Sequence, residues 1–200
     1  MTIDVNVQKT TEDFLEDIDE IIEDTMVQIF FLQPRDAEAL QKAKEDAQEH
    51  NAIFYVAPLD FEDEIDVNCI GFSIKESAQL QERTTLDKPL FIDESDLDEA
   101  FVTLLKERKE QGIILNATDP HEELENFLIA IGPANIEAFD PEVLASLSMD
   151  KIALQSGYPD HDFDDIMSAV KIVSDAMFRP EQSIIARATT HVLQLTGFKQ

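Results

Sequence analysis

The sequence predicts an α/β fold, a compact, trimmed (β/α)8 barrel of the TIM type. Short apolar segments alternate with amphipathic acidic segments throughout the 200 residues. Strands that are apolar on both faces and alternate with helices indicate a parallel sheet covered on both faces. About eight such units would close a barrel, although 200 residues is near the lower limit for that fold. An open, doubly wound sheet of fewer strands is the competing architecture, because periodicity alone does not separate the two.

The strand candidates are short runs of aliphatic and aromatic residues. The run Met26–Leu32, for example, is followed by Pro34 and then by a helical segment. In order, the predicted strands are Thr2–Val7, Met26–Leu32, Ala52–Ala57, Val67–Ile74, Pro89–Ile92, Gly112–Leu115, Asn126–Ile131 and Lys151–Gln155. Both architectures place a ligand at the carboxyl ends of these strands.

Helical segments separate the strand candidates. Thr11–Asp24 has apolar residues on one helical face, and Asp36 is a typical N-cap for a helix that extends to His50. The other predicted helices are Glu76–Glu82, Asp96–Glu110, Pro120–Glu125, Pro141–Leu147, Phe163–Phe178 and Glu181–Thr196. A chain of this length cannot place a full helix after every strand. The third, fourth, sixth and seventh helical layers are therefore predicted to be short or missing.

The charge of the chain limits its partners. It contains 43 Asp and Glu against 15 Lys and Arg, a formal net charge of −28. Nonspecific nucleic-acid binding is not expected, because it requires Lys and Arg that displace the counterions of the phosphates. An acidic surface instead suits a basic protein partner, which would bind the charged helices without needing a pocket.

We expect one domain over residues 1–200 in a cytoplasmic protein without membrane attachment. No apolar stretch approaches the ~20 residues that span a bilayer. The first residues also lack the basic and apolar regions of a signal peptide. The length suits one medium-sized domain with a substantial core rather than two independent ones.

Motifs near the strand ends resemble those of TatD-family metal-dependent hydrolases, which are nucleases of the amidohydrolase-like barrel group. Ile3–Gln8 looks like the opening Ile-Asp-Thr-His-Cys-His of that family, and Ile70–Phe72 is similar to its Ile-Gly-Glu. Three further segments look like its Pro-x-x-x-His, Gly-x-x-x-His and Leu-Leu-Glu-Thr-Asp-x-Pro motifs, namely Pro89–Asp93, Gly112–Asn116 and Ile152–Pro159. Ala186–Phe198 resembles the terminal helix, so the matches run in order along nearly the whole chain.

The resemblance implies a pocket from which the metal ligands are missing. The family would bind divalent cations there, generate hydroxide and neutralise a phosphoryl group. Among the matching positions, Asp93 alone keeps a strong metal-binding group, and one carboxylate cannot retain a cation against water. The resemblance thus predicts a pseudoenzyme without metal, cofactor or catalytic residues, which acts by binding or interaction. Its vestigial pocket would be formed by Asn6, Gln8, Phe72, Asp93, Asn116 and Gly157.

A metal-dependent hydrolase with relocated ligands is the alternative. His121 follows the sixth strand, and His161 follows the eighth strand between Asp160 and Asp162. Both loops should reach the same edge of the barrel as Asp93, where oxygen and nitrogen ligands could hold a divalent cation for phosphodiesterase or deoxyribonuclease chemistry. Acidic residues at these places also suit helix N-termini. The sequence alone leaves both interpretations open.

Overall fold

The strands form one closed parallel barrel in the computed structural model, which describes residues 1–8, 12–81, 83 and 86–198. Each strand pairs with the next one in the chain, and Asp4 of the first strand pairs with Leu154 of the last. This pairing closes the sheet, so the barrel is confirmed and the open doubly wound sheet is wrong. The strands are β1 (Thr2–Val7), β2 (Val27–Leu32), β3 (Ile53–Pro58), β4 (Cys69–Ser73), β5 (Leu90–Asp93), β6 (Gly112–Leu115), β7 (Phe127–Ile131) and β8 (Ile152–Leu154).

The helices vary widely in length around the barrel. They are α1 (Glu12–Glu16), α2 (Ile18–Asp24), α3 (Ala37–Glu49), α4 (Ser77–Gln81), α5 (Glu99–Arg108), α6 (Pro141–Ser146), α7 (Asp165–Met177) and α8 (Glu181–Thr196). A 3-10 helix at Leu59–Glu64 follows β3, and another at Ile136–Ala138 precedes the short α6. The helical layers after β3, β4, β6 and β7 are therefore short or missing, as the length of the chain predicted.

Two predicted helices differ from the observed structure. The segment Thr11–Asp24 is divided at Asp17 into α1 and α2, and its first residue lies outside the described residues. The predicted helix Pro120–Glu125 does not form, and these residues adopt turns. The carboxylate of Asp119 accepts a hydrogen bond from the His121 backbone N–H at 2.9 Å, and His121 has a φ of 45°. This left-handed conformation prevents a helix from starting there.

The apolar core has an inner and an outer part. The inner cluster fills the barrel with side chains such as Ile3, Phe31, Val56, Phe91 and Ile113. The outer cluster lies between the strands and the helices and includes Phe30, Tyr55, Leu105, Ile129 and Val170. Strand residues alternate between these two environments, which explains why the strands are apolar throughout.

Helix α8 covers the end of the barrel at which the strands begin. Its residue Val192 joins the inner cluster, and the following Phe198 packs against Phe54 with ring centroids 4.6 Å apart. The hydroxyl of Thr189 donates a hydrogen bond to the Met1 carbonyl at 3.0 Å, directly before β1. A ligand can therefore reach the barrel interior from the opposite end, where the strands finish. No helix in the described residues is long and apolar enough to span a membrane.

Candidate functional site

A cavity of about 340 Å³ opens at the carboxyl ends of β1 to β6. Its apolar floor includes Phe91 and Leu115, and its polar walls come from the ends of several strands and from the loops that follow them. Barrels of this class place their ligands at this end. The polar lining residues are Asn6, Gln33, Arg35, Asp60, Ser73, Lys75, Gln79, Asp93, Ser95, Asp96 and Asn116.

A chain of hydrogen-bonded amides lies at one side of the cavity. Asn6 Nδ2 donates to Gln155 Oε1 at 3.2 Å, and Gln155 Nε2 donates to Asn116 Oδ1 at 3.0 Å. Asn116 Nδ2 then donates to Asp93 Oδ2 at 2.7 Å. Each amide therefore donates to the next residue, and the chain ends on a carboxylate that only accepts when it is ionised. The last bond of the chain is charge-assisted and fixes the orientation of Asn116.

Both carboxylate oxygens of Asp93 already have partners. While Oδ2 accepts from Asn116, Oδ1 accepts from the Ser95 backbone N–H at 3.0 Å and from the Ser95 hydroxyl at 2.6 Å. Asp93 thus caps the short 3-10 helix Glu94–Asp96 that follows β5. Three of the roughly four acceptor sites of this carboxylate are therefore occupied, and the remaining one, on Oδ2, is open to a further donor.

Gln155 is held in place through its backbone. An added Cβ on Gly132 would lie 2.0 Å from the Gln155 carbonyl oxygen, so no side chain larger than hydrogen fits between β7 and the end of β8. Asn135 fixes the same region, because its Nδ2 donates to Ala130 O at 2.9 Å and to Ala117 O at 2.5 Å. These contacts position Gln155, which is 1% exposed, between Asn6 and Asn116.

A buried carboxylate joins β1 to the loop after β8. Asp4 Oδ1 accepts from the backbone N–H groups of Asn6 and Ser156, each at 3.0 Å, and Oδ2 accepts from the Ser156 hydroxyl. The side chain is fully buried. Burial raises the pKa of Asp4, against the opposing effect of the hydrogen bonds from Ser156 and Asn6. Asp4 therefore fixes the backbone beside two members of the amide chain without lining the cavity itself.

A second carboxylate connects the loops after β5 and β6. Glu94 accepts from the Thr118 hydroxyl at 2.6 Å, and its Oε1 accepts from the Thr118 backbone N–H at 2.9 Å. The same oxygen lies 2.7 Å from His121 Nε2. Burial alone would raise the pKa of Glu94, but the hydrogen bonds from Thr118 and His121 outweigh it and lower the pKa. His121 is thus engaged with Glu94 rather than directed at Asp93.

The cavity brings together half of the sequence-predicted pocket. Asn6, Asp93 and Asn116 line it and are linked through Gln155. Gln8 lies outside its lining and accepts a hydrogen bond from Arg35 Nη2 at 2.9 Å, beside a neighbouring cleft. Gly157 also lies outside the lining, where its N–H donates to the Asn6 carbonyl at 3.2 Å.

Phe72 is directed away from the cavity by an irregularity in β4. Tyr55 of β3 pairs with Cys69, but the next residue of β3 pairs with Gly71, so Ile70 is an extra residue in β4. Such a bulge reverses the faces of the residues that follow it. Phe72 consequently packs in the outer cluster, and Ser73 lines the cavity in its place. Pattern matching cannot detect this shift, because the bulge depends on pairing with β3.

The relocated metal ligands do not come together. Phe163 packs against Phe14 and Phe30, with ring centroids 5.5 and 5.0 Å apart, and thereby anchors the loop that carries His161 on the side of α1. Among the described residues, no group of three or more His, Cys, Asp or Glu side chains could hold a metal ion. At the amide chain, N–H groups of Asn6 and Asn116 face their neighbours where a cation would require oxygen lone pairs. The residues present therefore do not fit a divalent cation.

Solved structures of similar architecture include TatD homologues and amidohydrolases. YjjV, a TatD homologue from Escherichia coli K12, superposes with a TM-score of 0.78 at 11% identity, covering 99% of this chain and 98% of that one. The fold is that of TatD homologues and amidohydrolases. A TatD-family hydrolase from Entamoeba histolytica gives a TM-score of 0.72 at 12% identity, covering 97% of each chain. An uncharacterised amidohydrolase from Saccharomyces cerevisiae gives 0.70 at 9% identity, covering 97% of this chain and 99% of that one.

These similarities establish the fold but not the chemistry of the cavity. No protein-family model and no curated protein sequence matches the chain. At identities of 9 to 12%, site residues cannot be transferred from the neighbours by position. The function must follow from the cavity of this chain.

Sequence reasoning missed several residues that line the cavity or lie beside it. Gln155 is central to the amide chain, and its place at the end of β8 was the available signal. Arg35 and Lys75 lie in loops and Asp96 in a one-turn 3-10 helix, where no periodic pattern marks them. Their position directly after β2, β4 and β5 could have identified them, because those loops border the open end of a barrel.

Proposed function

We propose that this protein is a non-catalytic member of the TatD-like barrel group that binds a small polar molecule in the strand-end cavity. The observation that carries the proposal is the amide chain from Asn6 through Gln155 and Asn116 to Asp93. It occupies the end of the barrel at which a metal-dependent hydrolase would need cation ligands.

The chemistry of these side chains supports binding rather than hydrolysis. Amides are neutral at all accessible pH values, so they can neither deprotonate water nor provide a charge that retains a cation. Asp93 is ionisable, but its two oxygens accept hydrogen bonds from Asn116 and Ser95. Hydroxide generation by the mechanism of the metal-dependent hydrolases therefore has no support among these groups.

The same groups are well suited to recognition. Their hydrogen bonds hold the amides in fixed orientations, so that a ligand would meet an organised surface and lose little of its binding energy to ordering side chains. The cavity volume of about 340 Å³ suits a small molecule, and apolar and polar lining residues are mixed as in ordinary ligand sites.

Metal content and turnover test the non-catalytic half of the proposal. We expect substoichiometric metal in the purified protein by mass spectrometry, and no hydrolysis of bis(4-nitrophenyl) phosphate with added Mg²⁺, Mn²⁺ or Zn²⁺. Stoichiometric metal together with turnover that Asp93→Ala abolishes would overturn the proposal and establish the relocated-ligand hydrolase.

A binding screen by NMR tests the other half. The probes are short amino acids, dicarboxylates, diamines and sugars, and the readout is the shift of the side-chain amide signals of Asn6, Asn116 and Gln155. We expect at least one class to perturb these signals. Asn116→Ala should abolish the response, whereas Asn51→Ala, at an exposed turn before β3, should leave it unchanged. A cavity that responds to none of the probes would contradict a binding function.

A further inference from the structure

The mouth of the cavity carries charges of both signs. Arg35 follows β2 and Lys75 follows β4, and both are exposed to solvent. Asp60 follows β3, while Asp93 and Asp96 lie at and just beyond the end of β5. Cations and carboxylates therefore alternate around the rim in the order of the strands. A site for a simple anion or a simple cation would present one sign of charge.

Several of these charged groups can still form hydrogen bonds or ion pairs with a ligand. Within the described part of the chain, the Lys75 ammonium and the Asp96 carboxylate have no hydrogen-bond or ion-pair partner, and Arg35 uses one guanidinium nitrogen for Gln8. Asp60, by contrast, accepts from Gln79 Nε2 at 3.1 Å. The groups with open hydrogen-bonding capacity are thus the two cations and the carboxylates, of which Asp96 has the fewest partners.

Arg35, Lys75, Asp93 and Asp96 all line the same cavity of about 340 Å³, so they lie within electrostatic range of one another. Burial and the nearby charge of Asp93 raise the pKa of Asp96, while Lys75 and Arg35 act in the opposite direction. All four charges therefore act on the same small volume. A ligand there would meet charged groups of both signs.

The net charge of the molecule narrows the class of ligand further. At a formal charge of −28, the protein repels anions over long range, and the local cations oppose the entry of a simple ammonium ion. A zwitterion has no net charge and meets neither penalty, yet it satisfies both signs once bound. Its carboxylate would pair with Arg35 and Lys75 and its ammonium with Asp93 and Asp96.

We infer that the cavity binds a small amino carboxylate, held as a zwitterion between the Arg35–Lys75 pair and the Asp93–Asp96 pair. This inference rests on the proposed binding function and specifies its ligand class. The apolar floor formed by Phe91 and Leu115 would contact the carbon chain between the two charged groups.

The test uses probes that differ only in charge. Isothermal titration calorimetry compares 4-aminobutanoate with butanoate and butylammonium, together with the shorter and longer ω-amino acids from glycine to 6-aminohexanoate. We expect the best zwitterion to bind at least about tenfold more tightly than either mono-ion, the difference that one charged hydrogen bond gives. Equal binding of butanoate, or the absence of binding by every amino carboxylate, would overturn the inference.

Two variants assign the charged groups. Lys75→Met should weaken zwitterion binding about tenfold and leave butylammonium no weaker, whereas Asp96→Asn should weaken the zwitterion and leave butanoate no weaker. Lys171→Met on α7 and Glu142→Gln on α6 are matched controls, because both side chains are exposed and outside the cavity. Equal losses in the controls would contradict the assignment.

The two proposals fail in different ways. If dicarboxylates, diamines or sugars perturb the cavity amides while amino carboxylates do not, the zwitterion inference is wrong and the binding function stands. If the protein holds metal and hydrolyses phosphodiesters through Asp93, the proposed function itself is wrong.

Discussion

Buried carboxylates define the surroundings of the cavity at the scale of single residues. Asp4 is fully buried and accepts three hydrogen bonds, from the Asn6 N–H and from the Ser156 N–H and hydroxyl. A carboxylate can remain in such a place only because every oxygen is satisfied. Asp4 therefore acts as a joint between β1 and the loop that carries Ser156.

Substitution of Asp4 tests this role. Asp4→Ala leaves the Asn6 and Ser156 donors buried without an acceptor, and we expect it to lower the free energy of unfolding by about 3 kcal/mol. Asp4→Asn keeps one oxygen and offers an N–H to the Ser156 hydroxyl, so its loss should be less than half as large. Urea denaturation measures both. Similar losses for the two variants would show that the hydrogen bonds are not the main contribution.

Glu94 should make the stability of the protein depend on pH in the direction opposite to that of a buried, unpaired acid. Its pKa is lower in the folded protein, so its contribution to stability is present above the ordinary value of 4.5 and is lost as the pH falls through the lower folded pKa. Glu94→Gln should remove that part of the acid destabilisation. We also expect it to cost about 1 kcal/mol at pH 7, through weaker hydrogen bonds to Thr118 and His121.

Unfolding curves measured at closely spaced pH values check this prediction. The difference between wild type and Glu94→Gln should shrink as the pH falls below the ordinary pKa of Glu94. Glu142→Gln, on the exposed surface of α6, is the matched control and should show little change at any pH. A difference that grows as the pH falls below 4.5 would contradict the lowered pKa.

At the scale of elements, the sequence predicted every strand, with the ends displaced by up to two residues. Apolar runs such as Gly112–Leu115 identify strands because both faces are buried. The short helices also followed from the length of the chain. The bulge at Ile70 and the turns at residues 120–125 did not, because each depends on a local backbone contact that leaves no periodic signal. This distinction explains why Asn6, Asp93 and Asn116 line the cavity, whereas Phe72 lies in the outer cluster.

The bulge in β4 makes a sharp prediction about two adjacent positions. Phe72→Glu would bury a carboxylate in the outer apolar cluster, and we expect it to cost at least about 3 kcal/mol. Ser73→Glu places the same side chain at the cavity, where it can reach solvent, and should cost about 1 kcal/mol or less. Thermal unfolding of the two variants tests this prediction. If Phe72→Glu left the stability unchanged and Ser73→Glu lowered it, β4 would have to pair with β3 without the bulge.

Acidity is the property that acts at the scale of the whole molecule. The net charge is −28, and four Lys or Arg side chains form ion pairs among the described residues, namely Lys42–Asp46, Arg83–Glu62, Arg108–Glu110 and Arg187–Asp150. Most carboxylates therefore have no cation to compensate them. Such an excess keeps a protein soluble but destabilises the compact state through self-repulsion. A basic protein partner for this acidic surface also remains a proposal. Binding of such a partner that weakens steeply with added salt would support it.

Salt should consequently stabilise the fold. Raising the ionic strength from about 0.01 to 0.5 M shortens the Debye length from about 30 Å to below 8 Å and screens repulsion between surface carboxylates. We expect the unfolding temperature to rise across this range. Asp17 at the α1–α2 junction and Asp164 before α7 border one small groove. The double variant Asp17→Asn with Asp164→Asn should therefore raise the unfolding temperature at low salt by part of the amount that salt gives. At high salt the same variant should add little. A melting temperature that falls with salt would mean that attractive ion pairs outweigh the repulsion, despite the excess of 43 acidic over 15 basic residues.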